Sequence, residues 1–522
     1  MREGDVTRRR FLQSVGISGG AGALFATMGA LGLAPVRAAT PSFRAPQQSD
    51  FHLTGRAARK VVILGGGIAG LAAAYELGKA GYDCTVLEAR AITGGRNLTI
   101  RGGNAETDLD GNTQRAAFSP GNYFNAGPAR IAQWMVTLDY CRELGVPVQP
   151  FVNANADALI HNDGSAPIRF RTAKADVYGY VSELLAKATD QGALDSVLTP
   201  EDKGRLLAFL EDFGDIGEAH EYTGSFRRGF SVYPGAGTDN GTPLPGPPSL
   251  SEVFASNVGR HFSGEFSHDQ AMMMFQPVGG MDRIAAALTA AVGRQRIRLG
   301  ARVLSVTGRS SDVTVTFRQG GRDQAITADF CIATLPPNVM AKVPHNLGAN
   351  VTSALSSFFP FSAGKIGMEY RSRWWENDLR IYGGITQTDL DITQIWYPSY
   401  DFHARRGVVV GYYNYGEQAE AYSALTPGAR TARAVEQGVK IHGEKYRSEL
   451  AGAFSVAWNR MPHVEGAWAY PGDYDSYRLL LEPAGRVYFA GDWLSNAIAW
   501  QHGSFLSARK AVTALHQRVL TA

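Results

Sequence analysis

The sequence predicts an α/β fold headed by a parallel dinucleotide-binding unit, and three observations carry that prediction. A β-branched run ends on a glycine-rich loop that opens a helix. A second short apolar strand follows and closes on an acid. The chain, at 522 residues with 44% apolar content, is also long enough to bury two or three cores. The same composition excludes disorder and coiled coil. Glycine is abundant, at 60 residues, which points to many tight turns and close backbone approaches.

The chain opens on a basic leader. Residues 1–38 hold five arginines (Arg2, Arg8, Arg9, Arg10, Arg37) against Glu3 and Asp5, and so carry the whole net charge of +3. The other 484 residues balance at 46 basic and 46 acidic. A neutral body gives no electrostatic case for a nucleic-acid partner or an acidic membrane surface. The motif TRRRFLQ at 7–13, a Gly/Ala-rich apolar run and PVRAA at 35–39 resemble a twin-arginine (Tat) signal peptide. That resemblance implies the Tat machinery as a partner and a periplasmic or secreted product, exported folded with its cofactor aboard. No later run approaches 18 apolar residues, so no stable membrane span is expected. Cys84, Cys141 and Cys331 are too scattered for a disulfide framework or a cysteine metal site.

The first unit follows. Lys60–Leu64 (KVVIL) reads as a buried parallel strand, residues 71–80 as a helix stopped at Gly81, and 83–87 as a second strand ending in Glu88. Between strand and helix lies GGGIAG, with Gly65, Gly67 and Gly70 at the GxGxxG positions and Ile68 and Ala69 between them. These glycines let the backbone approach a pyrophosphate at the helix N-terminus, while Glu88 accepts from the ribose hydroxyls.

Glu88-Ala89-Arg90 leads into a second glycine turn, Gly94-Gly95-Arg96. It resembles the E-A-…-G-G-R signature of the flavin amine oxidase superfamily, whose arginine lies near the flavin and pyrophosphate. Gly127-Pro128-Ala129-Arg130 is similar to the G-P-x-R segment of L-amino acid oxidases. In those enzymes it lines the isoalloxazine, and the arginine clamps the substrate carboxylate. A guanidinium fork matches carboxylate geometry, which agrees with that role. Residues 172–270 read as helix-rich, with an ordered Gly/Pro loop or lid over 234–248. A helix over 283–292, a strand over 296–306 and a hairpin of 313–317 with 325–332 resemble the family's return to its FAD domain, where Val303 meets the adenine.

Lys365, on a strand before Trp374-Trp375, resembles the lysine that family members hold under the flavin. A cation there would stabilise negative charge on oxygen during reoxidation. Ile395-Trp396-Tyr397-Pro398 resembles a Y-Y-P segment, which implies that Tyr397 bonds the substrate carboxylate. At the C-terminus, Gly491-Asp492 and the run Ala499, Trp500, Gln501, His502, Gly503, Ser504 resemble the strand–turn and helix start that meet the flavin. The last helix is read over 505–515. Trp500 resembles the aromatic wall over the substrate, and Trp468 is read as a second wall or as core. Ala499 stands where snake-venom enzymes carry glycine. Gly466-Ala467-Trp468 replaces the G-C-Y segment of covalently flavinylated relatives, so FAD is expected to be non-covalent.

The resemblance spans residues 58–520. It implies an α/β fold: a two-dinucleotide-binding, Rossmann-like FAD domain, a mixed-sheet substrate domain and an inserted helical region. The expected boundaries are 58–100, 271–345 and 480–522 for FAD, 101–170 and 346–479 for substrate, and 171–270 for the helical region. The implied function is an exported FAD-dependent L-amino acid oxidase using O2. It would yield 2-oxo acid, ammonia and hydrogen peroxide from a substrate with a bulky or aromatic side chain. An amine oxidase on mono- or polyamines, and an amino acid 2-monooxygenase, are the alternatives. No metal and no nucleic acid are expected, and a homodimer is left open.

Overall fold

The computed structural model describes residues 51–270 and 273–521; the leader lies outside the described residues. Two compact units divide the chain, one of them Ile168–Ser263.

The larger unit holds a five-stranded parallel sheet in the order Ile297–Leu299, Asp83–Glu88, Lys60–Leu64, Phe330–Ala333, Val487–Phe489. Strand alternation explains why the central strands are uniformly apolar. Val61 and Ile63 face one core with the helices Ile68–Lys79, Asp282–Val292 and Gln501–Thr521. Val62 and Leu64 face another, which includes Val313, Val315 and Phe317 of an antiparallel meander.

Two boundaries differ from the sequence reading. The strand expected over 296–306 breaks at Gly300, whose φ of +66° turns the chain between Ile297–Leu299 and Arg302–Gly308. The expected hairpin arm 325–332 also divides. Arg322–Ala328 pairs in the meander, whereas Phe330–Ala333 enters the parallel sheet. Asp329 marks the switch: Lys60 N–H donates to its carboxylate at 2.8 Å, and its own N–H donates to the Lys60 carbonyl at 2.9 Å.

A mixed sheet builds the other half of this unit. Six of its strands run in the order Leu159–His161, Ile385–Thr388, Gln394–Trp396, Gly407–Tyr415, Ala363–Tyr370, Leu450–Ala457. Ala363–Tyr370 is buried along its whole length, and Lys365 sits in it directly opposite Tyr413.

The smaller unit is mainly helical. Phe170–Asp190 and Pro200–Gly214 are its long helices, the second opened by Thr199, which accepts from the Asp202 N–H, and by a proline in the first turn. Its interior holds a buried Asp176–Arg228 pair at 2.6 Å.

Candidate active site

The glycine loop is shaped by contacts no side chain would permit. A Cβ on Gly70 would lie 2.0 Å from the Gly65 carbonyl oxygen, so glycine lets the helix start pack against the strand end. A Cβ on Gly67, by contrast, would meet nothing within 4 Å. That open space faces a helix with no side-chain cap and no acid in its first turn. Its free N–H groups and positive dipole end are suited to an anion. Glu88 closes this end: its carboxylate accepts from the N–H of Gly66 at 2.7 Å and of Arg90 at 2.8 Å. Burial pushes its pKa up, and each oxygen keeps a lone pair for a further donor. The second glycine turn is tied to the first by Gly94 N–H donating to the Gly66 carbonyl at 2.8 Å.

Arg96 and Asp492, 396 residues apart, form a two-pronged ion pair, and Arg96 also donates to the Ala467 carbonyl at 2.8 Å. Asp492 accepts the Ala499 N–H as well, at 3.0 Å. The pair therefore joins the second glycine turn to the C-terminal turn. The last helix starts at Gln501, four residues before the sequence reading. Gln501 and Ser504 line the cavity. His502, one position further round, does not: it accepts the Val136 N–H at 3.0 Å, and burial holds it neutral, with a pKa of about 4. Gly503 is a packing glycine whose Cβ would lie 2.3 Å from the Ala497 carbonyl oxygen. Val303 is likewise off the cavity, paired with Phe317 in the meander.

The other end is cationic and aromatic. Lys365, 4% exposed, donates to the Gly127 carbonyl at 2.6 Å and lies 4.5 Å from the Tyr413 ring and 4.8 Å from that of Trp396. Burial, with Arg130 nearby, pushes its pKa down to about 7. Arg130 donates to Asn153 Oδ1 at 2.5 Å and packs 4.8 Å over Trp396. Burial lowers its pKa too. Asp269 acts on it through space, and no ion pair joins the two among the described residues.

Tyr397 is not at this end. Its hydroxyl is buried against Thr386 at 2.8 Å and His442 at 2.9 Å, and it does not line the cavity. Its neighbour Trp396 does, because adjacent residues along an extended chain face opposite ways. Tyr413 lines the cavity at this end, with burial raising its pKa to about 12. Its cross-strand position opposite Lys365 brings it there.

One cavity of about 430 Å³ joins these parts. Gly65, Gly67, Ile68, Ala69, Glu88 and Ala89 line one part. Gly95, Arg96, Gly127, Pro128, Ala129, Gly491 and Asp492 line it too, as do Arg130, Lys365, Trp468, Ala499 and Trp500. Sequence reasoning missed Thr334, Trp458, His463 and Asp269, which also line it; nothing local in their motifs marks them. Trp468 stacks on Phe361 at 5.1 Å and faces the cavity. The uncapped helix start, the open space at Gly67 and the buried acid fit a dinucleotide. None of the three buried cysteines lines the cavity.

Comparison with known proteins agrees. Residues 68–516 match the model of the flavin containing amine oxidoreductases. YobN of Bacillus subtilis (strain 168) is 26% identical over 482 residues, covering 86% of this chain and 93% of its own. The L-amino-acid oxidase of Vipera ammodytes ammodytes is 26% identical over 460 residues, covering 85% and 89%. The cyclohexylamine oxidase from Brevibacterium oxydans shares the fold, with a TM-score of 0.60 at 18% identity over 88% of this chain and 99% of its own. A flavin carried on a dinucleotide-binding unit is FAD. The chain belongs to the flavin-containing amine oxidoreductases and is an oxidoreductase with FAD as its cofactor.

Proposed function

We propose that the chain is an FAD-dependent L-amino acid oxidase, converting an L-amino acid and O2 to the imino acid and hydrogen peroxide. The imino acid then hydrolyses to 2-oxo acid and ammonia. The observation that carries this reading is Arg130, an enclosed guanidinium beside Lys365 that no acid pairs with among the described residues. A substrate carboxylate supplies the missing counter-charge, whereas a simple amine would leave a buried cation uncompensated. Similarity to the Vipera L-amino-acid oxidase supports the same substrate class.

The chemistry supplied by bound FAD is hydride acceptance from the substrate Cα and two-electron reduction of O2. The chain supplies the rest. Arg130 and Tyr413 bind the carboxylate, and Trp468 and Trp500 flank the substrate. Lys365, with a pKa of about 7, holds a proton at Nζ beside the site where charge develops on oxygen. Gly65, Gly67, Ile68 and Ala69 take the pyrophosphate, and Glu88 takes the ribose. Ala467 offers no thiol, so the cofactor is held non-covalently. We assign this FAD domain to residues 58–100, 271–345 and 480–522, and read the leader as an export signal.

Arg130→Ala tests the carboxylate role. Removing one partner of a buried charge pair costs on the order of 2–5 kcal/mol, or roughly 30- to 4,000-fold in kcat/KM for an amino acid. An unchanged kcat/KM would remove Arg130 from the substrate site.

A further inference from the structure

The cavity that holds Arg130 and Lys365 does not stop at Trp500. A second cavity, of about 580 Å³, shares Asp269, Tyr470, Ile498 and Trp500 with it. Beyond that shared wall the lining includes the aromatic rings of Trp134, His268, Tyr474 and Tyr477. Asp269 therefore stands at the junction of the two spaces.

Its position is fixed by packing. Asp269 lies on the short turn His268–Gln270. The Trp134 and His268 rings stack at 4.5 Å, and Trp134 Nε1–H donates to the His268 carbonyl at 3.0 Å. Trp134 in turn meets the His502 ring edge-on at 4.9 Å, which ties the turn to the last helix.

The carboxylates lining the two cavities are Glu88, Asp492 and Asp269. Two are already engaged, Glu88 by backbone N–H groups and Asp492 by Arg96. No ion pair or hydrogen bond occupies the Asp269 carboxylate among the described residues. Asp269 and Arg130 both line the first cavity, and no ion pair or hydrogen bond joins them among the described residues, so a gap separates a cation from an anion along one cavity. A molecule with a carboxylate at one end and a cation at the other fills that gap with both charges paired. A neutral side chain would strip water from Asp269 and return nothing. The shared walls suit a cation on an alkyl stem. Trp500 and Tyr470 line both cavities, and aromatic rings can cover methylenes and attract a cation.

We propose that Asp269, Tyr470 and Trp500 form a side-chain subsite for basic L-amino acids of the lysine, ornithine or arginine type. This rests on the L-amino acid oxidase reading and names its substrate class.

The test measures peroxide formation by the wild-type holoenzyme with L-lysine, L-arginine, L-leucine, L-phenylalanine and cadaverine. The expected kcat/KM for L-lysine or L-arginine exceeds that for both neutral amino acids by roughly tenfold or more, the usual weight of a charged contact. Asp269→Asn then lowers the L-lysine to L-leucine ratio by about the same factor, mainly through KM, and Asp269→Glu keeps the ratio well above it. A wild-type preference for L-leucine or L-phenylalanine overturns the subsite, as does an unchanged ratio in Asp269→Asn. If Asp269→Asn does not fold, the wild-type ratio decides. Oxidation of cadaverine and of no amino acid overturns the L-amino acid oxidase reading instead.

Discussion

Lys365 is a residue whose burial moves it far from its chemistry in water. Its pKa falls from 10.5 to about 7 because burial and Arg130 both disfavour the ammonium. A cation depressed in the folded state costs stability below its folded pKa, and the cost fades as pH rises toward the unfolded value. Lys365→Met should therefore be more thermostable than wild type at pH 6, with the difference shrinking between pH 7 and 10. Melting curves across that range check this, and a pH-independent difference would contradict it. Ala499 is the second informative residue. Its φ of +69° lies in the left-handed region, which costs an L-residue about 1–2 kcal/mol. Glycine relieves that strain and gives back about 0.5–1 kcal/mol in unfolded-chain entropy. Ala499→Gly should raise the melting temperature slightly, as read by calorimetry of the holoprotein.

At the scale of elements, the loop between the first strand and its helix separates two uses of glycine. Gly70→Ala forces a Cβ against the Gly65 carbonyl and should destabilise the protein even without cofactor, by about 1–3 kcal/mol or more. Gly67→Ala meets no protein atom within 4 Å. It should leave apoprotein stability nearly unchanged yet lower FAD retention. Flavin absorbance per protein and apoprotein melting separate the two, and equal apoprotein losses would contradict distinct roles for the two glycines. The glycine loop was legible in sequence because strand, turn and helix are contiguous. The misplacements at Tyr397 and His502 have one cause: a motif fixes where an element runs, but its rotation decides which side chain faces the cavity. Trp396 and Tyr397 alternate faces along the extended chain, whereas Gln501 and Ser504 share a helix face that His502 leaves by about 100°. Tyr413 declares itself only through its register with Lys365, which the sequence does not print.

The whole molecule gathers its site from distant chain segments. Arg96 reaches Asp492 across 396 residues, and the parallel sheet admits Phe330–Ala333 beside the first strand and Val487–Phe489 beside that in turn. The family resemblance made the cofactor half legible, since each of its pieces carries its own short motif. The substrate half was less so, because Asp269, Trp396 and Tyr413 converge from separate elements without a shared motif. The charge-balanced body fits a small-molecule enzyme, and the Arg130 guanidinium, which no acid pairs with among the described residues, lines the cavity. Arg130 is proposed to make this an oxidase of amino acids and not of amines. Anaerobic mixing of the holoprotein with matched pairs, each an L-amino acid and the amine left by removing its carboxyl group, tests it most directly. Bleaching of the flavin by the amino acid of a pair and not by its amine is the predicted result; faster bleaching by the amines would contradict it.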